Sequence, residues 1–100
     1  MNIKYSKAFT KVVKKLSGKV LESVKLAITE VKNAERIDEI SDCKKLVGFQ
    51  NIYRKRIGDL RAFMLLYIHI EGDTVVFEYL MPRGQAYNKK TMDNLRNKDN

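Results

Sequence analysis

The fold is decided by residues 53–66, YRKRIGDLRAFMLL, in which Gly58 and Asp59 separate two runs of strand-forming residues. A Gly-Asp pair between such runs is typical of a two-residue hairpin loop. With that loop, Arg56 lies directly opposite Arg61 in the neighbouring strand. The sequence therefore predicts an antiparallel hairpin whose register is set by its turn.

Side-chain alternation along this hairpin predicts one basic face and one apolar face. Cross-strand partners share a face, so Arg54, Arg56 and Arg61 point the same way and define what we call the arginine face. The opposite face of the second strand carries an uninterrupted apolar row: Leu60, Ala62, Met64, Leu66, Ile68 and Ile70. We expect helices to pack on the apolar row, so that the arginine face stays open as a site for a polyanion, phosphate above all.

Periodicity predicts the elements on either side of the hairpin. A short strand, Ile3 to Tyr5, is followed by two amphipathic helices. The first helix begins after Ser6, and Ser17 and Gly18 separate it from the second. Strands are expected near 46–57, 60–70 and 74–82, followed by a polar tail. The predicted fold is α+β: a small, mostly antiparallel sheet in the order β-α-α-β-β-β, an αα-hairpin on one face, a short C-terminal tail or helix, and one domain over residues 1–100.

The sheet face occupied by two residues, Lys55 and Arg83, stays undecided at this point. Lys55 falls on the apolar face opposite Ala62, so either its ammonium reaches the sheet edge or the register is different. Arg83 falls opposite Arg61 if the second turn has three residues, Glu71 to Asp73, and on the other face if it has two or four.

Composition limits the partner and the compartment. The 100 residues carry 20 Lys and Arg against 12 Asp and Glu, a net charge of +8 with a pI near 9.7. A small domain this basic usually binds nucleic acid, a membrane surface or an acidic protein. The only cysteine, Cys43, excludes an internal disulfide and, with the only histidine, His69, cannot form a structural zinc site. We expect a cytoplasmic protein, because no apolar stretch approaches the roughly 20 residues that span a bilayer.

Two segments, YRKRIGDLR at 53–61 and PRGQAY at 82–87, resemble the RelE/ParE superfamily of bacterial type II toxins. The shared pattern is an aromatic-basic-x-basic strand, a glycine turn, an early arginine in the next strand, and Arg-x-x-x-Tyr at the end. The preceding lysine-rich helical hairpin extends the resemblance over nearly the whole chain.

The resemblance implies a ribosome-dependent, metal-free mRNA endoribonuclease without a cofactor, which cuts in the A site by attack of the RNA 2′-OH on the neighbouring phosphate. Arg61 then stabilises the transition state, and Arg83 is the catalytic arginine near the end of the last strand. Tyr87 stacks on or orients the nucleotide and takes part in catalysis. The implied RNA-binding residues are Arg54, Arg56, Lys89 and Lys90. Arginine cannot act as a general base, so the base is unassigned and Tyr87 is the candidate.

The implied partners are a cognate antitoxin, the ribosome with its RNA, and mRNA, but no membrane and no metal. Two alternatives stay open. A ParE-like DNA gyrase inhibitor shares the fold, although that branch generally lacks the set formed by Arg61, Arg83 and Tyr87. A non-catalytic RNA-binding relative is the other, because the general base is missing.

Overall fold

The computed structural model describes residues 1–99, which form one five-stranded sheet and three α-helices. The elements are β1 (Asn2–Tyr5), α1 (Lys7–Val13), α2 (Gly18–Asn33), β2 (Cys43–Lys45), β3 (Ile52–Ile57), β4 (Leu60–Tyr67), β5 (Thr74–Pro82) and α3 (Lys89–Lys98), with short 3-10 turns at Ile37–Glu39 and Arg83–Gln85. The sheet order is β1-β5-β4-β3-β2; β1 runs parallel to β5 and the other pairs are antiparallel. The predicted α+β fold with a helical hairpin is confirmed.

The helical hairpin covers the apolar row from Leu60 to Leu66, as the sequence predicts. The Ser6 hydroxyl caps α1 by accepting a hydrogen bond from the Phe9 N–H. Phe9 of α1, with Val24 and Val31 of α2, is fully buried against this side of the sheet. Burial of each such side chain contributes about 1.5–3 kcal/mol, so this core fixes which sheet face is covered by helices.

The β3–β4 hairpin has the register that its turn predicts. Arg56 pairs with Arg61, and Arg54 pairs with Phe63. Gly58 has φ +57° and Asp59 does not share a positive φ, as expected for a loop whose first central residue must be glycine. The turn therefore fixes the faces of both strands.

The predicted strand at 46–57 is wrong in its first half. The chain forms the short edge strand β2 before it, and residues 46–51 turn back toward β3, closed by a hydrogen bond from Leu46 N–H to the Ile52 carbonyl. The strand predicted over 60–70 ends at Tyr67. The apolar side chains of Ile68 and Ile70 lie in an exposed loop instead of a core row.

The expectation of an open arginine face is correct only in part, because α3 covers the middle of the sheet. Asn88 caps α3 by accepting from the Thr91 N–H, and Leu95 is fully buried. Leu95 belongs to a second apolar core with Phe49, Ile52, Phe63, Leu65 and Ala86. The tail looks polar in sequence, yet these few apolar contacts suffice to pack it as a helix on the sheet.

The α3 helix is also held by its C-terminal end. Both carboxylate oxygens of Asp99 accept backbone hydrogen bonds, from the N–H groups of Gln50 and Asn51, each at 2.7 Å. Lys98 pairs with the buried Glu78 of β5 at 2.8 Å. Within residues 1–99, no helix has the length and apolar character needed to cross a membrane.

Candidate active site on the arginine face

Arg61 lies at the turn end of the sheet with its guanidinium held by the backbone. Its Nη1 donates to the carbonyls of Gly58 at 2.8 Å and Leu60 at 2.9 Å, and the residue is only 8% exposed. Arg56 is its cross-strand partner and is exposed. The turn thus orients a nearly buried cation beside an accessible one.

Arg83 does not lie opposite Arg61, because the residue there is Met81. The connection between β4 and β5 comprises residues 68–73, not the three-residue turn. An irregularity next to Phe63 then shifts the β5 register by one residue. Arg83 follows β5 at the same end of the sheet, where its N–H donates to the Asp59 carbonyl at 2.8 Å. The chain therefore still brings Arg83 to the turn that holds Arg61.

Tyr87 and Arg54 form the second part of the site. The Tyr87 hydroxyl oxygen lies 3.5 Å from Nη1 of Arg54. The Tyr87 ring meets Phe63 edge-on, with centroids 5.8 Å apart, and Tyr87 is 51% exposed. Phe63 is the cross-strand partner of Arg54. A buried ring thus supports an accessible tyrosine whose hydroxyl meets a guanidinium.

The positive charge of this surface is not neutralised by neighbouring acids. In the described part of the chain, Arg54, Arg56, Arg61 and Arg83 form no ion pair with a carboxylate. The Nε of Arg54 is buried without a hydrogen-bond partner. Clustered like charges and an unsatisfied donor both cost free energy, and a bound phosphate would relieve the repulsion between the charges.

Lys89 and Lys90 follow Tyr87 closely in the chain. They form the first turn of α3, where both are exposed. Their position at a helix N-terminus adds positive charge to an end that already attracts anions.

Two lysines on neighbouring strands complete the electrostatics. Lys55 faces the helices and is 3% exposed, with Nζ donating to Glu30 Oε1 at 2.8 Å and to the Ser41 carbonyl at 2.7 Å. The predicted register is therefore right, and its charge is compensated. Lys44 of β2 pairs with Arg54 and lies on the arginine face. Sequence reasoning missed Lys44 because the strand predicted nearest to it begins only at residue 46, after β2.

The site combines the guanidinium groups of the four arginines with the phenol hydroxyl of Tyr87. Arginines in this arrangement can bind a phosphate and stabilise charge that develops on it. His69 stacks on Tyr67 at the far end of β4 and takes no part. Among residues 1–99, no group of three or more His, Cys, Asp or Glu side chains could hold a metal ion.

The chain matches no protein-family model. It is 32% identical to Toxin RelE3 of Methanocaldococcus jannaschii over 88 residues, which span 87% of this chain and 96% of that protein. The chain belongs to the RelE toxin family. This confirms the resemblance drawn from the two sequence segments.

Solved RelE structures share the fold. The RelE of a RelB-RelE antitoxin-toxin complex from Methanococcus jannaschii superposes with a TM-score of 0.66 and 27% identity, over 84% of this chain and 94% of that one. The archaeal RelE-RelB complex from Pyrococcus horikoshii OT3 gives 0.66 at 23% identity, over 85% and 97%. The intact E. coli RelBE complex gives 0.62 at 20%, over 81% and 94%. The last two comparisons bear on the fold alone.

Proposed function

We propose that this RelE-family chain is the toxin of a type II toxin–antitoxin system and acts as a ribosome-dependent mRNA endoribonuclease. Residues 1–100 would form one cytoplasmic toxin domain. The observation that carries the proposal is the arginine face, where four arginines have no carboxylate partner among residues 1–99 and Tyr87 adjoins Arg54. The net charge of +8 suits docking against ribosomal RNA.

In this reaction the RNA supplies its own nucleophile. The 2′-oxygen forms a bond to the adjacent phosphorus while the bond to the 5′-oxygen breaks, which leaves a 2′,3′-cyclic phosphate and a 5′-hydroxyl. The 2′-hydroxyl proton passes to a base, and the departing 5′-oxygen gains a proton. Arg61 and Arg83 stabilise the charge on the phosphorus oxygens. The Arg61 guanidinium is held by two backbone carbonyls and therefore needs little reorganisation during the reaction.

The other predicted residues hold the substrate. Arg54 and Arg56 grip the RNA backbone, and the accessible ring of Tyr87 offers a base a surface on which to stack. Tyr87 is also the candidate for proton transfer, because its hydroxyl oxygen lies 3.5 Å from Nη1 of Arg54. The exposed Lys89 and Lys90 extend the basic surface toward ribosomal RNA.

The partner that restrains this activity would be a cognate antitoxin. The relatives from M. jannaschii, P. horikoshii and E. coli were solved as complexes with RelB. We expect an acidic antitoxin chain that wraps the helical hairpin and covers or distorts the arginine face, since opposite charge favours association with a toxin of +8.

The test is cleavage of a defined mRNA on programmed ribosomes, with 5′ ends mapped by primer extension and ribosome-free RNA as a parallel sample. We expect cuts in the A-site codon only when ribosomes are present. Arg83→Ala should lower the rate by about 10²-fold or more, as loss of one transition-state cation does. Arg61→Ala should do the same.

Arg36→Ala is the matched control, because Arg36 is exposed and, unlike the four arginines of the site, pairs with the carboxylates of Asp38 and Glu39. It removes the same charge and should leave cleavage unchanged. Intact, folded protein that cuts nothing would contradict the proposal. Inhibition of gyrase supercoiling by that protein would then indicate the ParE-like activity, and RNA binding without cleavage would indicate a non-catalytic relative.

A further inference from the structure

A row of side chains crosses the arginine face at right angles to the strands. Lys44 of β2 pairs with Arg54 of β3, and Arg54 pairs with Phe63 of β4. Tyr87 packs on Phe63 and meets Arg54. Cross-strand partners share a face and neighbouring strands lie about 4.8 Å apart. Lys44 is therefore one strand further from Tyr87 than Arg54 is.

One side of this row is buried, and the other side reaches the accessible edge of the sheet. Toward one side, Ile52 and Leu65 are buried beneath Phe49 and Leu95. Toward β2, the described sheet ends, and Lys44 is exposed. A strand of RNA that starts at Tyr87 can thus continue over Arg54 to the edge strand.

The charge of Lys44 is uncompensated in the same way as that of Arg54. It forms no ion pair within residues 1–99. Two like charges directly opposite each other across a strand pair destabilise the sheet. Successive RNA phosphates, one at each of the two cations, remove that cost, and each phosphate gains a charge-assisted contact.

We propose that Lys44 is an RNA phosphate-binding residue, which contacts the backbone phosphate next to the one held by Arg54 and extends the binding site to the edge of the sheet. The inference rests on the proposed function for its ligand. Lys45 follows in the same strand but pairs with Tyr53, whose side chain packs against the helix-side core. Lys45 is exposed as well and faces away from the arginines.

The two lysines make a matched pair for the test. Lys44→Ala should raise KM for programmed ribosomes about three- to tenfold with kcat nearly unchanged, as loss of substrate binding without loss of catalysis does. The slope of log affinity against log salt should fall by about 0.7, the value for one phosphate contact on single-stranded nucleic acid. Lys45→Ala should move neither quantity, and Lys44→Arg should restore both.

Equal effects of Lys44→Ala and Lys45→Ala on KM and on the salt slope would overturn the inference while cleavage by the wild type still supported the proposed function. If the wild type cuts nothing, the same variants are compared by fluorescence anisotropy with a labelled single-stranded oligoribonucleotide. Weaker binding by Lys44→Ala alone supports the inference, and equal binding overturns it. Thermal melting of both variants checks that neither difference comes from unfolding.

Discussion

The Nζ atom of Lys55 lies 2.8 Å from Oε1 of Glu30, on the helix side of the strand whose other side carries the arginines. This contact joins α2 to β3. Ser41 completes it, because its carbonyl accepts from Lys55 at 2.7 Å and its N–H donates to Glu30 at 2.7 Å. In the run Arg54-Lys55-Arg56, the buried Lys55 is thus neutralised, whereas neither arginine has a carboxylate partner in the described part of the chain.

Removal of Lys55 should destabilise the fold more than its charge alone suggests. Lys55→Ala leaves Glu30 and the Ser41 carbonyl without their donor, and we expect a loss of about 1–3 kcal/mol, reduced from the fully buried case because Glu30 is partly exposed. Urea denaturation measures the loss. Lys45→Ala, an exposed lysine of the neighbouring strand, should stay within about 0.5 kcal/mol. Equal losses in the two variants would show that the pair does not hold α2 to the sheet.

Acid should weaken the same contact. Burial opposes ionisation of Glu30, but hydrogen bonds from Lys55 and Ser41 outweigh it and lower the Glu30 pKa below its ordinary value of 4.5. A carboxyl whose pKa is lower when folded adds stability at neutral pH, and that stability disappears as the pH falls through the folded pKa. The free energy of unfolding of Glu30→Gln should therefore fall less between pH 7 and pH 3.5 than that of the wild type. Identical pH profiles would contradict this assignment.

The hydroxyl of Tyr87 is expected to matter separately from its ring. Tyr87→Phe keeps the edge-on contact with Phe63 and removes the oxygen beside Arg54, so cleavage should fall by about 10²-fold without loss of stability. Tyr67→Phe is the control, since Tyr67 is 45% exposed at the opposite end of β4. Single-turnover cleavage on programmed ribosomes gives the rates. Wild-type rates for Tyr87→Phe would restrict Tyr87 to stacking.

The residue that follows α3 should stabilise the fold, because the Asp99 carboxylate accepts two short backbone hydrogen bonds. Asp99→Ala leaves the N–H groups of Gln50 and Asn51 without an acceptor, at an expected cost of about 1–3 kcal/mol. Asp93→Ala removes an exposed carboxylate from the same helix and should change little. Chemical denaturation of both variants decides the matter: equal stabilities would mean that solvent replaces the Asp99 contacts.

The sequence predicts the β3–β4 hairpin well because the two-residue loop at Gly58 and Asp59 leaves one register. Arg54, Arg56 and Arg61 follow from that loop by alternation alone. The register of β5 could not be predicted in this way. The longer connection at 68–73 and the irregularity beside Phe63 each change which residues share a face, and neither has a distinct sequence pattern.

The second apolar core was missed for a different reason. Its members are far apart in sequence, and α3 contributes mainly Leu95, so hydrophobic periodicity is weak there. The Asn88 cap was the available sequence indication of a helix start. Lys44 could be placed on the arginine face only once the separate edge strand β2 and its pairing with β3 were known.

We propose that this RelE-family chain cuts mRNA on the arginine face through attack of the RNA 2′-hydroxyl. The most direct measurement compares two mRNAs on programmed ribosomes, one of them with a single 2′-deoxy nucleotide at the mapped A-site cleavage position. We expect a cut with a 2′,3′-cyclic phosphate end in the all-ribose mRNA and no cut at the substituted position of the other mRNA. Cleavage of both mRNAs at that position and at equal rates would contradict it.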